Sequence, residues 1–170
     1  KGENRARRTS QSREVGAMTW YETFVWLHIT AAAIWLGGDV MIQAFAYRIL
    51  RTDDPARLAA FSRDVEWTGL RLIMPASVVL LASGIGLVTN GNWSWGEPFV
   101  SVGLVVWLLS FAVGAGFLGP ESARIARIVE AEGPTSPGAA GRIRRILLYS
   151  RIELALLLVV VFMMAVKLGT

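Results

Sequence analysis

Four long runs of apolar residues dominate the pattern along the chain, and polar, basic segments separate them. The runs extend from about Trp20 to Leu50, Leu70 to Thr89, Phe99 to Leu118 and Ile146 to Leu168. A bilayer crossing needs about 20 apolar residues in helix. Each of the last three runs is close to one crossing. The first is longer, so it tilts or extends beyond the bilayer. Short connections between such runs predict an antiparallel arrangement. The expected fold is all-α: an integral membrane four-helix antiparallel bundle, with helices about 20–50, 70–89, 99–118 and 146–168.

The connections differ in character. Residues 51–67 (RTDDPARLAAFSRDVEW) predict a short amphipathic helix, with Asp53 or Asp54 as its cap and Pro55 at its first position. Residues 90–98 (NGNWSWGEP) read as a tight turn region. Residues 119–145 predict a basic helix, then a flexible GPTSPGAAG segment, then Arg142-Ile-Arg-Arg145. Residues 1–17 are polar, basic and aperiodic, without the apolar stretch of a signal peptide. They read as disordered or vector-derived sequence, with Met18 as the natural start and residues 18–170 as the transmembrane domain.

Arginine placement sets the expected orientation. Arg48, Arg51, Arg57, Arg63 and Arg71 surround the first connection, and Arg124, Arg127, Arg142, Arg144, Arg145 and Arg151 surround the third. The second has none. Connections one and three, with their short amphipathic helices, are therefore expected on the cytoplasmic side, and both termini outside. Trp20, Tyr21, Trp93 and Trp95 fit an outer aromatic belt, and Tyr47, Trp67 and Tyr149 an inner one.

Composition agrees with this picture. The chain of 170 residues is 54% hydrophobic and 18% charged, below the ~25% charged of soluble domains. The net charge of +4 arises from arginines clustered between apolar runs. That favours membrane topology and contact with anionic lipid over nucleic acid, which is not expected as a partner. The absence of cysteine excludes disulfides and thiolate chemistry, and a single histidine excludes a multi-histidine cage within one copy. No P-loop, GxSxG, HExxH or CxxC motif is present.

The candidate chemistry begins at His28. At ~1.5 Å rise per residue it lies roughly 12 Å along the helix from Trp20. An ionisable group at that depth faces protein or water by default. Ala32, Trp35 and Asp39 share its face. Two readings stand: His28 hydrogen-bonds a carbonyl or hydroxyl of a neighbouring helix, or it ligates haem iron. Met41, Met74, Met163, Met164, water or a second copy's histidine are the candidate second axial ligands. Asp39 is costly unpaired in an apolar helix. Arg71, Arg151 and Glu153 are its expected partners, as structural glue or as a propionate-binding or proton-relay cluster. Pro75 predicts a kink or the start of regular helix. The glycine pair Gly37-Gly38 and the small residues Ser110 and Gly114 suit close helix packing and offer a homodimer interface.

The segments LHITAAAIWLGG (27–38), RLIMPASVVLLASGIGLV (71–88) and VFMMAVKLG (161–169) resemble a bacterial integral-membrane family of unknown function. That family is itself similar to the copper-resistance protein D family and the HemJ-type protoporphyrinogen oxidases. The resemblance spans residues 20–168, and its most specific piece is the spacing from His28 to Trp35-Leu-Gly-Gly38. It implies a multi-pass protein of the bacterial inner (cytoplasmic) membrane. It also implies that His28 ligates the iron of haem b; on the residue reading above, Trp35, Asp39, Arg71 and Arg151 complete the cofactor site. A redox or sensing role with an electron-transfer partner follows; if the protein is an enzyme, the resemblance implies an oxidoreductase of the protoporphyrinogen oxidase type. Asp39 departs from the HemJ-type pattern, which is apolar there. The copper-resistance likeness implies a copper-related transport or structural component, for which one histidine and five methionines are a thin ligand set.

Overall fold

A computed structural model describes residues 18–52 and 54–166 of the chain. Every regular element in them is helical, and they form four long helices. Helix α1 runs Trp20–Ile49, α2 Pro55–Asn90, α3 Pro98–Glu132 and α4 Pro137–Val166. All four are long and apolar enough to cross a membrane. The segment 1–17, read from sequence as disordered or vector-derived, lies outside the described residues.

The helix starts follow local chemistry. Thr19 and Glu22 form a capping box at α1: the Glu22 N–H donates to Thr19 Oγ1, and the Thr19 N–H to Glu22 Oε2. At α2, the Asp54 carboxylate accepts from the N–H groups of Ala56 and Arg57, with Pro55 beside it. Gly133, at φ 84°, ends α3 in a conformation that side chains rarely adopt.

The first and third connections differ from the sequence expectation. The helix expected over 51–67 does not stand apart from the second apolar run. Pro55–Thr68 continues through a π-helical turn, Gly69–Ile73, into Met74–Asn90. In α3, Pro98–Val113 continues through a π-helical turn, Gly114–Leu118, into Gly119–Glu132. Each turn closes on a five-residue hydrogen bond, from Met74 N–H to Gly69 O and from Gly119 N–H to Gly114 O. A proline follows each, at Pro75 and Pro120. A proline inside a helix lacks the N–H for the carbonyl four residues back, and its ring presses on that carbonyl. Widening the preceding turn accommodates both defects without breaking the helix. Helix α4 likewise starts earlier than expected, at Pro137.

Helix α1 packs chiefly on Met74–Asn90, and α4 touches both α1 and α3. The glycines of α2 bring it close to α1: a Cβ on Gly86 would sit 2.7 Å from the Phe24 ring. At the arginine-rich end, Pro55–Thr68 packs on Gly119–Glu132 around Leu58, Ala59, Ile125, Val129 and Ala139. Buried Glu121 ties this end together, accepting from Arg124 in its own helix and, at 2.7 Å, from Arg142 of α4. Elsewhere, large apolar side chains such as Ile29, Leu108, Val159 and Phe162 are exposed. Apolar faces of this extent require lipid.

Candidate functional site

Two cavities lie within the bundle, and Trp35 of α1 lines both. Its side chain is buried at the divide.

The cavity toward the tryptophan-rich end has a volume of about 270 Å³. His28, Ala32, Trp93, Trp95, Phe99 and Trp107 are among its lining residues. The His28 ring is held at its Nδ1 edge, 3.1 Å from the carbonyl of Leu80 and 3.3 Å from Ser83 Oγ, both on α2. A carbonyl only accepts, so Nδ1 carries the hydrogen and Nε2 keeps its lone pair. No hydrogen bond to Nε2 forms among the described residues. Gly84 makes room for the ring, since a Cβ there would lie 3.2 Å from His28 Cε1. The reading of His28 as a partner for a neighbouring carbonyl and hydroxyl thus holds for one nitrogen and leaves the other available. Of the methionines named as second ligands, Met164 lines the same cavity, Met74 lines the other, and Met41 is exposed.

The cavity toward the arginine-rich end, about 150 Å³, contains Asp39 rather than His28. Asp39 therefore shares a helix stripe with His28 but not a chamber. Glu153 of α4 lines the same cavity and is 8% exposed. The two carboxylates thus face one chamber from different helices. Among the described residues, Asp39 Oδ2 is buried without a hydrogen-bond partner.

Of the network expected from sequence, the structure brings together only the acidic half. Arg71 and Arg151 are exposed, line neither cavity, and form no ion pair with Asp39 or Glu153 among the described residues. Helical phase explains the separation on α4: residues two apart point in widely different directions, so burying Glu153 turns Arg151 outward. Arg71 sits in the π turn, where the register departs from that of a regular helix. Sequence reasoning also missed Gln43, whose Nε2 donates to Ser150 Oγ at 2.6 Å and links α1 to α4 beside the acids. Its signal was phase: Gln43 follows Asp39 by one helical turn. Among the described residues no group of three or more His, Asp or Glu side chains gathers in a way that could hold a metal ion. An ion here would draw on two carboxylates and neutral oxygens.

Four apolar crossings enclosing two chambers define a multi-pass helical membrane protein, embedded in the lipid bilayer. Residues 22–168 match the family described as "Predicted integral membrane protein (DUF2269)", and the chain belongs to that family. No curated protein and no solved structure matches it.

Proposed function

We propose that the chain is a haem b protein of the bacterial cytoplasmic membrane, with a redox or sensing role, in which His28 supplies an axial nitrogen. One observation carries this reading: Nδ1 is fixed on the Leu80 carbonyl while Nε2, on a residue that lines an aromatic chamber, has no hydrogen bond among the described residues. A hydrogen-bonded Nδ1 is the usual companion of a ligating Nε2, since it sets both tautomer and ring orientation. The donor set fits the iron, with His28 and Met164 lining one cavity and tryptophan and phenylalanine rings beside them. Bound haem would supply one-electron chemistry. The chain would hold its ring, exclude water and fix the imidazole.

Arg71 and Arg151 are not part of this site. Tyr21 and Trp95 line the same chamber and carry the O–H and N–H donors suited to the carboxylate arms. The likeness to HemJ-type and copper-resistance protein D families supports the reading. An electron-transfer partner and a homodimer belong to it.

The alternative is a non-enzymatic transport or structural component, copper-related, in which His28 ties α1 to α2. The same bonds to Leu80 and Ser83 favour it. Absorption spectra of the detergent-purified chain, oxidised and reduced, separate the two. A Soret band with reduced α and β bands, lost in His28→Ala, is expected. No band after haem reconstitution would refute the haem reading.

A further inference from the structure

The chamber around Asp39 and Glu153 is not used by the haem reading, and its chemistry is different. Two carboxylates share it, one from α1 and one from α4. Glu153 is 8% exposed and makes no hydrogen bond or ion pair among the described residues. Asp39 Oδ2 is buried and equally unpartnered. Both belong to helices apolar enough to span a membrane. A buried carboxylate without compensation is among the most expensive arrangements a protein can hold.

The neighbouring polar groups do not provide that compensation. The Gln43 amide donates to Ser150 Oγ, Ser150 directs its hydroxyl hydrogen at the Leu147 carbonyl, and Ser77 directs its own at the Met74 carbonyl. Ser110 and Ser122 line the same chamber, and among the described residues neither bonds to the acids. The Gln43, Ser150 and Ser77 hydrogens in these bonds are used away from the acids, while the hydroxyl oxygens keep lone pairs. The chamber therefore offers carboxylate, hydroxyl and amide oxygens, and among the described residues no lysine, arginine or histidine lines it. Such a site calls for positive charge.

We propose that Asp39 and Glu153 form an intramembrane binding site for one hard divalent cation of the Mg²⁺ class. The charge balances, since two carboxylates neutralise one divalent ion in a low-dielectric setting. The donor set is oxygen, which hard cations prefer over the imidazole and thioether of the other chamber. Magnesium typically takes one or two carboxylates and keeps several waters. A water occupies ~30 Å³ of liquid volume, so a cavity of about 150 Å³ admits a partly hydrated ion. Both π turns border the chamber, through Gly69 and Ile73 of α2 and Gly114 and Leu118 of α3. Turns of this kind recur at functional sites.

The test uses the 170-residue chain without an added tag in detergent, with Mn²⁺ as the probe, read by the EPR signal of free hexaaquo Mn²⁺. The expected result is loss of about one free Mn²⁺ per chain, reversed by excess Mg²⁺. In Asp39→Asn and Glu153→Gln the uptake should fall at least tenfold, while Asp64→Asn, a change at an exposed acid, should retain it. Both amide variants are near-isosteric and remove charge from an apolar wall, so monodisperse elution is expected of them. The wild-type titration and its Mg²⁺ competition decide the matter should either variant misfold. A full free-Mn²⁺ signal beside folded wild type would overturn the proposal, and dicyclohexylcarbodiimide labelling of Glu153 would then identify a proton as the neutralising species. Uptake that Mg²⁺ does not reverse, or that both amide variants retain, would overturn it as well.

Discussion

Single side chains in this bundle do their work by pairing across helices, and Glu121 is the clearest case. It is buried, yet two arginines reach it from α3 and α4. Removing one partner from such a cluster leaves buried hydrogen-bonding capacity unmet and costs about 1–3 kcal/mol, or more where charge is involved. Arg142→Ala, which strips the closer partner from buried Glu121, is therefore expected to lower the thermal midpoint in detergent, while Arg127→Ala, an exposed arginine without an ion pair among the described residues, should leave it nearly unchanged. Equal midpoints for the two variants would contradict the assignment. The histidine was legible in the sequence as the one imidazole at membrane depth. Which nitrogen is bonded was not, because Leu80 and Ser83 lie far along the chain and only the crossing of α1 over α2 brings them to it.

At the scale of elements, the two π turns are the features with the most structural consequence. Gly69 precedes Pro75, and Gly114 precedes Pro120, by the same interval. In each helix the wider turn absorbs one residue more than a regular turn holds. That residue sets the phase between the apolar span and the end segment, and so decides that Leu58 and Ala59 meet Ile125 and Val129. Deleting Leu70 should convert the turn to ordinary helix with the flanking faces still in phase. Deleting Leu81, in regular helix, rotates everything on one side by ~100°. The first deletion should yield folded, monodisperse protein and the second should not. If both deletions aggregate alike, the π turn is not an accommodated insertion. Proline signalled an irregularity near residue 75 from sequence alone. The continuity of α2 and α3 through these points was hidden, because a drop in hydropathy at the span's edge reads as a connection even where the backbone stays helical.

At the scale of the whole molecule, the arginine-rich and tryptophan-rich ends make orientation testable. The 170-residue sequence has no cysteine, so single-cysteine probes need no background removal. Ser94→Cys, between α2 and α3, should react with a membrane-impermeant maleimide in intact cells. Thr135→Cys, between α3 and α4, should react only after permeabilisation. Labelling of both in intact cells would contradict the orientation that the positive-inside bias predicts.

The sequence by itself determined the environment and the number of crossings. Hydropathy over about 20 residues is a local quantity, and a bilayer selects for it directly. It also exposed the residues that do not belong in lipid: His28, Asp39 and Glu153. The tertiary structure decided how those residues are distributed. The stripe from His28 through Trp35 to Asp39 suggested one site, yet Trp35 divides it into two chambers. The arginines expected beside Asp39 are exposed, and of its expected partners Glu153 alone lines the same chamber. Helical phase fixes which residues share a face. Only the packing of one helix on another fixes what that face meets.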